Sequence, residues 1–345
     1  MPNWQVIGQT RAVSLLQRSL ETGSLSHAYL FVGPAHVGKM TLALNLAQAL
    51  NCEAAEPPCG ECLSCQKITS GKHSDVQIMV LNGETSEENR TKIGVSQIDE
   101  LQHSVSLPPF EGKYKVFIID GAEFLSIGAA NRLLKTLEEP VGKVVFILLA
   151  VDDKMLLPTV VSRCQRVELF LMPPVQIEAA LKTKWGVEPE KAKLLSRLAH
   201  GCLGWAVSSA RDDSLVQQRA ETLDKLIDII GGDSEERFAY AAQMATQFSQ
   251  NRGLIYARLD LWLDWWRDLL MVKVGSLGST TNIDRLDTLS DMAGGLSLAQ
   301  IRAFIQSIRA AGEQLRQNAG SRLALEVLML DIPEVRKHSE IKSAV

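Results

Sequence analysis

Four cysteines pose the first chemical question: Cys52, Cys59, Cys62 and Cys65 fall in one short stretch, with two residues between each of the last three. Two such gaps let three thiolates converge on one ion, and six residues between Cys52 and Cys59 leave room for the fourth. Sulfur-only ligation with no neighbouring histidine describes a closed tetrahedral site, so the metal to expect is structural zinc, not a catalytic ion with an open position. An unmetallated thiol cluster or a disulfide pair is the plainer alternative. His73, a lone histidine after a Gly-Lys turn, is a fifth candidate but is expected to be solvated. Zinc would pin an inserted loop, with apparent binding energy on the scale of about 10–16 kcal/mol seen for small zinc-finger peptides. Glu53, Glu56 and Glu61, with few basic neighbours, argue against a zinc-dependent DNA-binding module.

A second constellation suits phosphate. An apolar run at Ala28–Val32 leads into Gly33-Pro-Ala-His-Val-Gly38-Lys39, and a helical pattern follows over 41–50. In the order strand, glycine loop, helix, backbone N–H groups and the helix N-terminus cradle phosphates while Lys39 neutralises their charge; the alternative is a chance glycine turn. The full pattern places Ser or Thr after the lysine to hold magnesium, but Met40 stands there. A thioether is a poor ligand for a hard cation. Thr41 points about 100° further round the helix and does not simply replace it. The apolar run 116–120 ends in Asp120, a metal-holding carboxylate of the Walker B kind. The next position, where an acid would orient the attacking water, is Gly121, and Glu123 would need an unusual turn to serve instead. Losing a positioned base removes about 10²–10⁴ in rate.

Positioning these groups requires a parallel sheet. Short continuous apolar runs at Ala28–Val32, 76–81, 116–120 and Val144–Ala150 alternate with amphipathic helical patterns up to about residue 170, as βαβ units do. After Met172-Pro173-Pro174 strand signals stop, and helical patterns run over 177–183, 189–199 and 201–210. Beyond about residue 212 come longer amphipathic helices, with loops at Gly231-Gly232 and 275–282. The expected layout is an α/β domain over 1–170 with an insertion at about 50–70, a small helical domain over 171–212 and an all-helical domain over 213–345. Trp262, Trp265, Trp266 and Leu269 share one helix face, which reads as a core stripe or as a packing face for another subunit.

The bulk numbers agree with a folded multidomain chain. Its 345 residues suit about two to three domains, and 46% hydrophobic with 22% charged residues is an ordinary globular balance. A net charge of −4 excludes a global basic field for nucleic acid. The start, Met1-Pro2-Asn3-Trp4, lacks a basic region followed by an apolar run, and no apolar stretch nears about 20 residues. The expectation is a soluble, cytoplasmic protein whose clustered cysteines bind metal in a reducing compartment.

One decapeptide then narrows the class. Asn131-Arg-Leu-Leu-Lys-Thr-Leu-Glu-Glu-Pro140 resembles the helix that reads NALLKTLEEP in the clamp-loader subunits of bacterial DNA polymerase III. Ser106-Leu-Pro-Pro-Phe-Glu-Gly-Lys113, Leu157-Pro-Thr-Val-Val-Ser162-Arg163-Cys164 and Leu323-Ala-Leu-Glu326-Val-Leu-Met-Leu330 extend the resemblance over most of the chain. Residues 212–255 and 275–300 carry no matching motif. The resemblance implies an AAA+ P-loop domain, a helical lid domain and a helical collar that holds subunits in a ring. The first cysteine gap is shorter than the resemblance leads one to expect, which affects loop length more than ligation.

Within that family the active gamma and tau type keeps Thr after the P-loop lysine, Glu after the Walker B aspartate, a polar sensor after the fourth strand and an arginine in the lid. Here stand Met40, Gly121, the run Leu148-Leu149-Ala150-Val151, and glycine in Gly201-Cys-Leu-Gly204-Trp-Ala206. Such parts act as a unit, so four departures point to lost hydrolysis, a pattern similar to the delta-prime type. The resemblance makes Ser162-Arg163-Cys164 an arginine-finger motif, with Arg163 serving a neighbour's ATP and Ser162 beside it. The plainer reading of Arg163 is an arginine satisfied by a local carboxylate. The resemblance further implies gamma or tau and delta as neighbours, a sliding clamp and primed DNA as partners of the assembly, and ATP or ADP held without hydrolysis by Gly33, Gly38, Lys39, Thr41 and Asp120. No polymerase site is expected. The rival is an ATPase-active gamma or tau type in which Thr41 and Glu123 stand in for the missing groups.

Overall fold

A computed structural model of the chain describes residues 3–80, 92–138, 142–317 and 320–334. Leu81 of the predicted strand, Glu139 and Pro140 of the decapeptide, and the end of the expected collar (335–345) lie outside those residues. The chain divides into two compact units, one of Met1–Ala180 with Gly201–Trp205, the other of Leu181–His200 with Ala206–Val345.

In the first unit the elements run α1 (Thr10–Glu21), β1 (Ala28–Val32), α2 (Lys39–Asn51), α3 (Leu63–Thr69), β2 (Val76–Met79), α4 (Val95–Ser106), β3 (Lys115–Asp120), α5 (Ile127–Glu138), β4 (Val144–Ala150), α6 (Pro158–Val161) and β5 (Gln165–Glu168). The strands form one parallel sheet in the order β2-β3-β4-β1-β5. All of β1 and β4 is buried, which is why these strands read as unbroken apolar runs. Alternate residues serve opposite faces. Leu30, Phe117, Ile119, Phe146 and Leu148 join Leu101 of α4 and Leu133 of α5 in one core. Tyr29, Phe31, Ile118, Ile147 and Leu149 join Leu16 of α1 and Leu46 of α2 in the other. The edge strand β5 went unpredicted because Gln165-Arg-Val-Glu168 buries only Val167, and a charged edge is how sheets avoid further pairing.

Register places the chemistry. Val32 lies beside Ala150 and Leu149 beside Asp120, so the loop after β1 and the carboxylate ending β3 reach the same edge of the sheet. The turn that feeds β3 is anchored by Asp75, which is 2% exposed. Its carboxylate accepts the backbone N–H groups of Phe110 (2.8 Å), Glu111 (2.8 Å) and Gly112 (2.7 Å).

In the second unit, after α7 (Pro174–Trp185), come α8 (Pro189–Leu198), α9 (Leu203–Arg211), α10 (Ser214–Gly231), α11 (Ser234–Gln250), α12 (Arg252–Lys273), α13 (Leu286–Gly295), α14 (Leu298–Arg316) and α15 (Ser321–Leu330), of which α7 and α9 are shared with the first unit. The tryptophan stripe of α12 is core: Trp262, Trp265, Trp266 and Leu269 are each 0% exposed. Trp262 stacks on Tyr240, and the Trp266 ring sits 4.5 Å from that of Phe304. On the same helix, buried Asp268 accepts the backbone N–H groups of Thr281 (2.9 Å) and Asn282 (2.7 Å), fixing the predicted 275–282 loop. Among the described residues no helix is long and apolar enough to cross a membrane.

Burial opposes ionisation of Asp75, but the three backbone donors outweigh it and hold the carboxyl below its ordinary value of 3.8. A depressed folded value means that the stabilisation is complete above the unfolded value and is lost as pH falls through the folded one. Asp75→Asn is therefore expected to lower stability by about 2–3 kcal/mol at neutral pH. Denaturant titrations of both proteins should show that gap narrowing below pH ~4; a gap constant with pH would contradict the assignment.

Candidate functional site

The glycine loop closes on itself. Gly38, with φ 110°, is a left-handed entry to α2, and His36 at the loop tip also takes a positive φ of 60°. Lys39 is 9% exposed, and its Nζ donates to the carbonyls of Gly33 (2.5 Å) and Pro34 (2.8 Å). Burial pushes its pKa down, opposed by the charges of Glu123 and then Asp120. Met40 packs against the core under the sheet, and Thr41 is exposed. Asp120 ends β3 half-buried.

The chain turns sharply ahead of Glu123. Gly121 adopts φ 76°, and a short 3-10 turn, Ala122–Phe124, follows it. Glu123 Oε1 accepts the N–H of Val151 at 3.2 Å, while Oε2 is buried without a hydrogen-bond partner. The carboxylate thus sits at the end of β4, near enough to Lys39 to be the foremost charge acting on it. The available signal was Gly121, the residue best able to reverse the chain after a strand. The end of β4 offers no polar sensor: Leu148, Leu149 and Ala150 are all buried and apolar.

The glycines of the 201–206 segment have a steric cause. Gly204 N–H donates to the His36 carbonyl at 2.9 Å, and a Cβ on Gly204 would stand 2.7 Å from that same oxygen. A Cβ on Gly201, where φ is 85°, would meet Leu171 at 2.7 Å. The segment lies directly on the P-loop tip, where a larger side chain does not fit.

The cysteine cluster is built where two helices end and begin. Cys52 caps the C-terminus of α2, Cys62 caps the N-terminus of α3, and Cys65 lies inside α3. Their sulfurs and that of Cys59 all lie within 4.8 Å of one another. Separations are 3.5 Å for Cys52–Cys59, 4.0 Å for Cys52–Cys62 and 3.9 Å for Cys59–Cys65. A tetrahedron with metal–sulfur bonds of about 2.3 Å has edges of about 3.8 Å, so this donor set fits a four-coordinate ion. All four thiols are free, with no disulfide among them. Backbone N–H groups of Cys62 and Glu61 point at Cys59 Sγ and bring its pKa to about 6, whereas burial pushes Cys52 and Cys65 up. Four such sulfurs, two of them buried, can hold a metal ion. His73, expected in solvent, is instead 4% exposed. Its Nδ1 accepts the Asp75 N–H at 3.1 Å and its ring lies against Gly112, where a Cβ would come within 3.1 Å. It belongs to the Asp75 turn, because the chain after Gly71-Lys72 folds inward there.

Arg163 follows α6. Its Nη2 meets Glu138 Oε1 at 2.5 Å, and its Nη1 donates to Thr159 O at 2.9 Å and Ser162 Oγ at 3.4 Å. Within this chain the guanidinium is thus satisfied locally, yet its side chain remains 34% exposed. Cys164 beside it packs on the core, and burial raises its thiol to about 12, which makes it an inert filler. Glu138 was read only as part of the decapeptide, since nothing in its spacing links it to a residue 25 positions on.

Residues 8–172 match the family described as "DNA polymerase III, delta subunit". DNA polymerase III subunit delta' of Bacillus subtilis is 30% identical over 327 residues, covering 94% of this chain and 96% of that one. DNA polymerase III subunit tau of the same organism is 42% identical over 163 residues, 47% of this chain and 28% of its own. A solved structure of a DNA polymerase III gamma subunit-related protein from Thermotoga maritima aligns over 93% of this chain and 99% of its own, at TM-score 0.44 and 17% identity. With its parallel nucleotide-type sheet, its four-cysteine insertion and a likeness that runs nearly end to end, the chain belongs to the delta-prime family of DNA polymerase III subunits, with gamma and tau as relatives.

Proposed function

We propose that this chain works as the delta-prime-type subunit of a DNA polymerase III clamp loader. It hydrolyses no ATP itself and lends Arg163, with Ser162 beside it, to the ATP of a neighbouring gamma or tau subunit. The assembly, with delta on its other side, would open a sliding clamp and set it on primed DNA in the cytoplasm. The observation that carries this reading is a contrast within one chain. The P-loop keeps Gly33, Gly38, Lys39 and Asp120, yet offers core-packed Met40 and exposed Thr41 where magnesium needs a hydroxyl. Arg163, by contrast, remains accessible to another molecule. A guanidinium at a neighbour's γ-phosphate stabilises transition-state charge and is worth about 10³–10⁵ in rate.

Three further assignments follow this reading. ATP or ADP is held, without hydrolysis, by Gly33, Gly38, Lys39, Thr41 and Asp120. Cys52, Cys59, Cys62 and Cys65 hold structural zinc, which pins the insertion at about 50–70. Residues 1–170, 171–212 and 213–345 serve as AAA+ domain, lid and collar. The collar assignment is supported by α15, whose Leu323 (67%), Val327 (45%) and Leu330 (62%) expose an apolar stripe suited to a sister subunit. A second reading, an active gamma or tau type, is favoured by the Glu123 carboxylate, whose charge acts on Lys39.

Steady-state ATP turnover separates the two. The isolated chain is expected to show none, and Arg163→Ala in a loader reconstituted with clamp and primed DNA is expected to cut turnover by at least about 10³-fold at the site it serves. Turnover by the isolated chain that disappears in Glu123→Gln would overturn the non-hydrolysing assignment. Metal analysis of the purified chain should find zinc at one equivalent, released by a chelator and lost in Cys65→Ser together with thermal stability. A full-length, folded chain without bound metal would rule the zinc site out.

A further inference from the structure

We infer that Glu138 is a positioning residue for Arg163, a carboxylate that holds the guanidinium along its own chain and competes with the phosphate the guanidinium is meant to meet. This rests on the reading of Arg163 as a residue acting on a neighbour's nucleotide. Glu138 of α5 reaches Arg163 Nη2 at 2.5 Å, while Nη1 is held by Thr159 O at 2.9 Å. The planar guanidinium fork matches a carboxylate and a phosphate with the same donors, so Nη2 cannot serve both fully.

Exposure sets the strength of the pair: with side chains 34% and 48% exposed, the ion pair is screened by water and contributes little. Glu138 therefore restrains the arginine while no phosphate is near and gives it up to a polyanion in a drier interface, where Coulomb attraction is stronger. Such a competitor changes how much ATP is needed to engage Arg163, and leaves the rate unchanged once it is engaged.

Steady-state turnover against ATP concentration in the reconstituted loader with clamp and primed DNA tests this. Glu138→Gln is expected to lower the KM for ATP by about two- to fivefold with kcat unchanged. The shift should fade at high salt, where exposed charges are screened. Glu138→Asp, which keeps the charge, should restore most of the wild-type KM, and no shift should appear when Glu138→Gln is added to Arg163→Ala. If Arg163→Ala reduces turnover but Glu138→Gln leaves KM unchanged or raises it, or if its shift persists without Arg163, the inference is wrong. If Arg163→Ala itself changes nothing, the arginine assignment fails first and the role of Glu138 fails with it.

Discussion

The parallel pairing of β4 between β1 and β3 is the constraint on which the rest of the α/β unit depends. Parallel strands end at one edge, so the loops after β1, β3 and β4 deliver Lys39, Asp120, Glu123 and Val151 to a common place, as ligand crevices of open α/β sheets require. Parallel pairing also forces each crossover helix to run back. The 13 residues of α2 span about 20 Å, so Cys52 at its far end stands well away from Lys39 at its start. The cysteine cluster can thus brace the fold without touching phosphate chemistry.

At the edge of the sheet that carries the P-loop, several residues make close internal contacts. Met40, partly buried, packs against the core at the position that follows the P-loop lysine. Gly204 allows its segment to settle on the His36 carbonyl, a contact that a side chain would prevent. Lys39 is held by the loop's own carbonyls. The loop thus closes on its own carbonyls and on apolar neighbours.

Arg163 illustrates how a single side chain can be structurally satisfied and still available. Its partners are a carboxylate and a carbonyl at a half-exposed position, and contacts of that kind are easily traded. Neighbouring Cys164, by contrast, is partly buried and packs against the core.

Much was legible in the sequence wherever a local pattern has one physical solution. Continuous apolar runs specified β1 and β4, the glycine loop specified the start of α2, and the cysteine spacing specified a cluster that could close on one ion. The spacing of Trp262, Trp265 and Trp266 marked one helix face, but only burial in the helical unit showed it to be core. Tertiary structure alone decided the pairings between residues far apart in the chain. His73 turned inward because Asp75 gathers a turn near residue 110, and Glu123 reached the Val151 N–H at the end of β4 because Gly121 reversed the chain. Glu138 met Arg163 because α5 and α6 pack against each other. Spacing carries information about neighbours on one element, whereas these contacts arise only when strands and helices from distant segments are brought together.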